Sequence, residues 1–469
     1  MLVDYADQSP EVKEFANKFG VPALRFCEAS RTLPGPADAA RLIPMVMDGL
    51  TRPLNEEEKK KGVYRPNNKR VIFEGTIEEA EAFFSQTRWV GHPTNAPVAM
   101  YSDGLPVVLP TEERVARMLK GTSHKPDEVI ALQADGRAGE KGTEVTFLPL
   151  FRTATVEKVA INALMAGCKP EYLPVVLAIA ESGVNVGTTV IHSQWACVSG
   201  PIAKEIGMNS GVGMIGPGNP ANIAIGRALA MMSINIGGAI PGFSRLSFGS
   251  PFNTVPPCFA EKADALPAGW KGLNEEHGFK KDQSCVLVGL ATGGFYGAQF
   301  SPGGYRSLQR SGHGGVARKL GVKGTPGPHN WLKYIVPEIW AMREGGFIFV
   351  MAPEMAQHLQ DIGFKTKDDV YQWLYKESFV PMSNYRNRSW VDEAPTKGWA
   401  GIERTSGKPW RDLPDDYRVP LVNSPTQNCI VVAGGDEEVC IQIAGGRYIP
   451  DPHESDLWGA AAYSVDAWR

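Results

Sequence analysis

Two consecutive helical segments, residues 155–165 and 170–181, constrain the fold more than any other feature of the sequence. Both are apolar on more than one face, and glycines, Gly167 and Gly183, follow their ends. A helix that is apolar on most of its surface has to be covered by other elements. The pair therefore predicts helices buried inside a large core.

Around this pair, short apolar runs alternate with further helical segments. Residues 285–290, 347–351 and 428–433 are typical of buried strands, and residues 221–234, 353–362 and 366–376 are typical of helices. This alternation predicts an α/β fold with mostly parallel or mixed sheets covered by helices. Because 469 residues exceed one ordinary core, we expect two or three packed units.

Boundaries between these units are predicted from changes in composition. Residues 1–65 form a small α/β fragment, and the polar segment 60–69 is a linker. Residues 70–250 form an α/β core, and residues 251–469 form a second α/β unit with glycine-rich loops. At the start of the core, we expect a short strand at 71–73 and a helix that Thr76 and Glu79 begin as a capping box.

Composition and charge exclude several classes of function. The net charge is −3 and no basic stripe occurs, which argues against a nucleic-acid binder. No run of about 18 apolar residues predicts a membrane span, and the acidic start of the chain lacks the layout of a secretory signal. The seven cysteines are scattered, so they predict no disulfide framework. We therefore expect a cytoplasmic protein.

The segment 209–222 is the strongest candidate for a binding site. It holds many glycines between asparagines and directly precedes a predicted helix. Glycines let backbone N–H groups approach a ligand, and a helix N-terminus favours negative charge. It predicts a site for a carboxylate, phosphate or enolate, or else a tight turn that only caps a buried helix. The candidate binding residues are Asn209, Ser210, Gly211, Gly216, Gly218, Asn222 and Arg227.

The candidate catalytic residues lie further along the chain. Cys258 and Glu261, three residues apart, are interpreted as a nucleophile and its acid/base partner, although an inert buried cysteine is the commoner case. His313 lies in a glycine-rich loop, where a histidine is exposed and can exchange protons. His192 and Cys197 are at most half of a metal site, because zinc needs three or four ligands. We therefore predict no metal site.

Several of these segments together resemble a known family. They are residues 103–111, 154–174, 200–211, 216–218, 221–222, 225–227 and 258–261. They are similar to a bacterial family found with the UGSC-type (seleno)proteins, small proteins named for a selenocysteine-or-cysteine, Gly, Ser, Cys motif. Residues 47–58 also resemble the end of a UGSC-type domain, but no Cys-Gly-Ser-Cys occurs in the chain. The resemblance therefore implies a hetero-oligomer in which a small thiol or selenol subunit accompanies this large one.

Three functions are compatible with the sequence. The first is a subunit of a thiol- or selenol-dependent enzyme, with redox or C–X bond chemistry on a small anionic or polar substrate. The second is a stand-alone lyase, hydratase or hydrolase that could use a metal bound by His192, Cys197 or His313. The third is a non-catalytic binding or assembly subunit. No pattern identifies a cofactor, and the glycine spacing does not favour a nucleotide.

Overall fold

A computed structural model of the chain places two β-sheets face to face between two groups of helices. The structure describes residues 2–5, 16–17, 20–29, 36–60, 70–91, 94–135, 139–148, 150–183, 193–242, 244, 256–291, 323–324, 327, 329–334, 347–377, 379–385, 406–409, 412–419, 425, 428–435, 440–444 and 461–469. Within these ranges the fold is a mixed α/β fold, which confirms the predicted class.

The elements are named in chain order. The helices are α1 (Pro36–Thr51), α2 (Ile77–Phe84), α3 (Glu112–Met118), α4 (Val156–Met165), α5 (Leu173–Ala180), α6 (Ile202–Glu205), α7 (Pro220–Asn235), α8 (Leu273–Glu276), α9 (Pro353–Asp361), α10 (Lys367–Glu377) and α11 (Met382–Tyr385). The strands are β1 (Leu2–Tyr5), β2 (Phe26–Ala29), β3 (Thr87–Val90), β4 (Ala96–Ala99), β5 (Ser193–Ser199), β6 (Cys258–Ala260), β7 (Cys285–Ala291), β8 (Phe347–Met351), β9 (Val380–Pro381), β10 (Arg418–Val419), β11 (Cys429–Val432), β12 (Cys440–Ala444) and β13 (Ala461–Ser464).

The two larger sheets are both of mixed direction. One has the order β13-β7-β5-β6, in which β5 and β6 are parallel and the other neighbours are antiparallel. The other has the order β11-β8-β12, in which β11 and β8 are parallel and β12 is antiparallel. Because β5 pairs with β6 and β7, residues on both sides of position 250 form one sheet.

Alternation of side chains along the strands produces four layers. Ala196 and Val198 of β5 pack against α4, α5 and α7 in one core, whereas Trp195 and Cys197 face the second sheet. Val350 of β8 meets them in the layer between the sheets. On the outer face of the second sheet, the neighbouring residues of β8 and β11 pack against α9 and α10. Since successive strand residues point to opposite faces, each strand contributes to two cores.

The two apolar helices lie where the sequence predicts them. The side chain of Thr155 caps α4, and all eight residues of α5 are buried. Gly167 and Gly183 both have positive φ angles, 92° and 66°, that favour glycine and end the helical turns. The capping box of Thr76 and Glu79 is also present. The predicted strand at 71–73 is wrong, because that segment is irregular and its first two residues are exposed.

Close backbone approach fixes α7 against the segment that precedes β6. A Cβ atom added to Gly226 would lie 2.2 Å from the carbonyl oxygen of Pro256. Only a glycine allows this distance, so α7 packs directly on the backbone at this point. None of the helices in the described part of the chain combines the length and the apolar composition needed to cross a bilayer.

Candidate functional site

Residues 209–219, which we call the Gly–Asn loop, lead into the N-terminus of α7. Asn219 is the N-cap residue and Pro220 is the first helical residue, but the side chain of Asn219 does not cap the helix. Instead, its amide group donates to the carbonyl oxygens of Gly213 and Gly216, at 2.7 and 2.9 Å. The left-handed φ of Gly218, 92°, turns the chain just before the helix.

The other two asparagines also hold the loop together. The side-chain oxygen of Asn222 accepts from the backbone N–H of Asn209, and its amide group donates to the carbonyl oxygens of Asn209 and Met214. The side-chain oxygen of Asn209 accepts from the N–H of Gly211, and its amide group donates to the carbonyl oxygen of Val212 and to the side-chain oxygen of Asn219. These side chains therefore act on the loop's own backbone, which leaves the role of ligand donor to unpaired backbone amides.

A cleft of about 160 Å³ lies beside this loop, at the carboxyl ends of the parallel strands β8 and β11. Ligands of α/β proteins gather at this edge of a parallel sheet. The loop is anchored there because the N–H of Gly434 donates to the carbonyl oxygen of Ser210 at 2.8 Å. The residues that line the cleft are Gly211, Val212, Gly213, Met214, Ile215, Gly216, Val350, Ala352, Ala433, Gly434 and Gly435.

The backbone amides of the loop divide into two groups. The N–H groups of Gly211, Met214 and Gly216 donate to acceptors within the loop. Those of Val212, Gly213 and Ile215, which also line the cleft, have no hydrogen-bond acceptor within the described ranges. Unpaired amides at a glycine turn can hold a small anion. Among the residues that the structure describes, no charged side chain lines this cleft.

Arg227 forms an ion pair with a carboxylate of the chain itself. Its Nε and Nη2 atoms lie 2.8 and 2.9 Å from the two carboxylate oxygens of Asp103. A third contact joins Nη2 to the carbonyl oxygen of Pro106 at 2.8 Å. Only 14% of the Arg227 side chain and 6% of the Asp103 side chain are exposed. In this arrangement Arg227 ties α7 to the segment before α3, and its predicted role in substrate binding stays a prediction.

Cys258 and Glu261 lie on opposite faces of one sheet. Cys258 begins β6 and packs in the helix-covered core, whereas Glu261 follows β6 and bonds Leu273 on the side that faces the second sheet. Their spacing of three residues causes this separation, because strand side chains alternate with a period of two. The structure therefore does not bring the predicted nucleophile and acid/base group together.

The described cysteines are buried and none of them forms a disulfide. Burial raises the pKa of the Cys258 thiol to about 12, and it also raises those of Cys168, Cys197, Cys285 and Cys429. The thiolate is the reactive form, so a cysteine with a raised pKa is inert at neutral pH. Cys258 as a nucleophile stays a prediction, and its surroundings disfavour the thiolate.

Glu261 belongs to a buried network that sequence reasoning missed. Its Oε2 atom accepts from the hydroxyl of Ser199 and from the N–H of Leu273, both at 2.8 Å. Its Oε1 atom lies 3.1 Å from the ammonium group of Lys367, which lies 2.9 Å from Oε2 of Glu276. The hydroxyl of Tyr371 donates to the other oxygen of Glu276 at 3.3 Å. We call Ser199, Glu261, Lys367, Glu276 and Tyr371 the Lys367 network.

Few features of the sequence predict this network. Lys367 is the first residue of α10, where a lysine is normally solvated, yet its side chain is 2% exposed. The two carboxylates raise its pKa above the ordinary value, although burial by itself lowers it. A pattern of spacing could not reveal the group, because its members come from β5, the residue after β6, α8 and α10.

Two further predictions concern His313, as a proton-exchanging group, and the pair His192 and Cys197, as half of a metal site. His313 lies outside the described residues, as does His192. Within the described ranges, no three His, Cys, Asp or Glu side chains come together as metal ligands would. Cys197, the described half of the His192 pair, is fully buried between the sheets.

Comparison with known proteins identifies no relative whose site could be set beside this one. No family model, curated protein or solved structure matches the chain. The arrangement of its own residues therefore carries the functional argument.

Proposed function

We propose that this chain is the large subunit of a thiol- or selenol-dependent enzyme and that it binds a small anionic or polar substrate in the cleft beside the Gly–Asn loop. The observation that carries the proposal is the set of unpaired amides of Val212, Gly213 and Ile215 at the carboxyl ends of β8 and β11. Backbone donors fixed by neighbouring hydrogen bonds can stabilise negative charge without reorganising. The asparagine side chains supply that rigidity.

The proposed thiol or selenol belongs to a second polypeptide. The buried thiols of this chain with raised pKa values support this assignment, because they are poor nucleophiles at neutral pH. The resemblance of several segments to a family found with UGSC-type proteins supports it independently. The reaction is then redox or C–X bond chemistry in which this chain supplies the substrate site.

A matched pair of glycine variants tests the substrate site. A Cβ atom added to Gly435 would lie 3.9 Å from Cγ2 of Val212, so Gly435→Leu fills the cleft without a backbone clash. Gly91→Leu is the control, because no atom lies within 4 Å of its Cβ position. Saturation-transfer NMR with acetate, malonate and phosphate measures binding to each protein.

We expect at least one of these anions to bind the wild type and Gly91→Leu, and to lose at least ten-fold in affinity in Gly435→Leu. Binding that is equal in both variants, or no binding by any anion, contradicts the substrate site. The partner is tested separately by co-expression with a small protein that carries a Cys-Gly-Ser-Cys motif, followed by size-exclusion chromatography with light scattering. A joint peak supports the proposed subunit, and separate elution contradicts it.

A further inference from the structure

A second and larger cavity lies at the other end of the layer between the sheets. Its volume is about 540 Å³, within the range of small-molecule sites. Cys429, the first residue of β11, lines this cavity, whereas Ala433, the residue directly after the end of β11, lines the cleft beside the Gly–Asn loop. Four residue steps along a strand span about 13 Å, so the two cavities are separate. The lining residues on which the proposal rests are Lys271, Glu275, Glu276, Lys367, Asp368 and Tyr371.

Glu276 is the member of the Lys367 network that retains capacity for a ligand. Glu261 is fully buried and accepts from Ser199, Leu273 and Lys367. Glu276 accepts only from Lys367 and Tyr371 among the described residues, and its side chain is 18% exposed at the cavity. A carboxylate has about four acceptor positions. The open positions of Glu276 are therefore available to a bound molecule.

The position of Glu276 is fixed from two sides. Lys367 is 2% exposed and is held by Glu261 from behind. Tyr371 is 8% exposed, and its hydroxyl accepts from the N–H of Ile430 at 3.0 Å while it donates to Glu276. Acid/base groups of enzymes are positioned in this way before a substrate binds. Burial raises the pKa of Glu276, although Lys367 lowers it, and such a shift supports proton exchange nearer to neutral pH.

A purely structural ion pair explains the network less completely. Such a pair needs no cavity beside it, and well-packed apolar residues often replace it without loss of stability. Here the ion pair borders open volume that apolar residues also line, among them Leu273 and Leu287. An apolar wall with a few convergent polar groups is the usual composition of a ligand site.

The charges around this cavity select the ligand class. Among the described residues, Glu275, Glu276 and Asp368 line it, with Glu261 directly behind Lys367, and two ammonium groups, those of Lys271 and Lys367, oppose these four carboxyl groups. His277 also lines it. This excess of negative charge would repel an anion. An amine or a hydroxyl group, by contrast, can donate a hydrogen bond to the open acceptor positions of the Glu276 carboxylate.

We propose that this cavity is a second ligand site, for a small molecule with an amine or hydroxyl group, and that Glu276 exchanges a proton with that group. In the forward direction the N–H or O–H bond of the ligand breaks, the electron pair stays on nitrogen or oxygen, and the proton forms an O–H bond on Glu276. Lys367 keeps its own proton. The inference does not depend on the loop cleft, and it supplies the acid/base group that a stand-alone lyase or hydratase would need.

The test uses ethanolamine, serinol and glycerol as probes. Saturation-transfer NMR measures their affinity for the wild type, for Glu276→Gln and for Asp361→Asn, a control at an exposed carboxylate that does not line the cavity. We expect an amine or hydroxyl probe to bind the wild type, to lose at least ten-fold in Glu276→Gln and to change less than two-fold in Asp361→Asn. Equal binding in all three proteins, or no binding by these probes, overturns the proposal.

A charge reversal at the exposed rim keeps the test decisive if Glu276→Gln does not fold. Asp368 is exposed and lines the cavity, whereas Asp361 at the end of α9 is exposed and does not line it. Asp368→Lys should weaken ethanolamine binding several-fold, and Asp361→Lys should leave it unchanged. The reverse pattern, or equal effects, contradicts the site. Gly435→Leu should leave ethanolamine binding intact, which separates failure of this inference from failure of the proposed function.

Discussion

Replacement of Lys367 by methionine should destabilise the protein strongly and in a pH-dependent way. The substitution keeps most of the side-chain volume but removes the cation between Glu261, whose side chain is 0% exposed, and Glu276, which is 18% exposed. Breaking a buried ion pair by removing one partner costs about 3–5 kcal/mol. Because Lys367 serves two carboxylates, we expect a loss of about 4–5 kcal/mol at pH 8.

The sign of the pH dependence follows from the protons that each state binds. In the wild type the pKa of Lys367 is raised by the two carboxylates, so its contribution is present at neutral pH and is lost only in alkali, above about pH 10. Without Lys367, the pKa of Glu276 in the folded state rises further, because burial raises it and Lys367 is a group that lowers it. The folded variant then binds more protons than its unfolded state, so its deficit should shrink as the pH falls toward 5.

Urea unfolding at pH 5.5 and pH 8 measures both effects through the midpoint and slope of the transition. The double variant Lys367→Met/Glu261→Gln should recover about half of the loss, since it removes the more deeply buried charge. A deficit below about 1 kcal/mol at pH 8, or a deficit that is equal at both pH values, would contradict the stabilising role of Lys367 between the two carboxylates.

Three further predictions concern the other sites. Arg227→Lys keeps the charge but loses the paired contacts with Asp103, so thermal unfolding should show a loss of about 1–2 kcal/mol, and no change would argue against the pair. Gly226→Ala should lower the free energy of unfolding by at least about 2 kcal/mol, because its Cβ atom would lie 2.2 Å from the carbonyl oxygen of Pro256. The control Gly91→Ala should change it by less than about 1 kcal/mol. A stabilised Gly226→Ala would contradict the close packing of α7 on Pro256. Cys258, with a pKa raised to about 12 by burial, should resist iodoacetamide in the native protein at pH 8 and react after unfolding, as peptide mass spectrometry can measure.

Helices were predictable because their signals are local. Thr155 predicts the start of α4, and Thr76 with Glu79 predicts that of α2, since each cap needs residues only three positions apart. The α/β class followed from the alternation of such helices with apolar runs. The strand β6 was not predictable in the same way, because three buried residues carry too little pattern.

The candidate site was predictable only where it is continuous in sequence. The glycines and asparagines of residues 209–222 predict a constrained turn before a helix, and the structure places a cleft beside that turn. The partners of those asparagines were not predictable, since a side-chain amide can bond a ligand or its own loop equally well. Lys367 and Glu276 meet Glu261 only through the packing of separate elements, so no spacing of residues along the sequence predicts the Lys367 network.

The most direct test of the loop cleft is amide NMR of the wild type with selective labelling of glycine, valine and isoleucine. During a titration with malonate, we expect saturable downfield shifts of the amide protons of Val212, Gly213 and Ile215, because these donors have no protein acceptor in the described ranges. The amides of Gly211 and Gly216, which already donate within the loop, should shift much less. If Val212, Gly213 and Ile215 do not respond while malonate binds elsewhere, the cleft is not the substrate site.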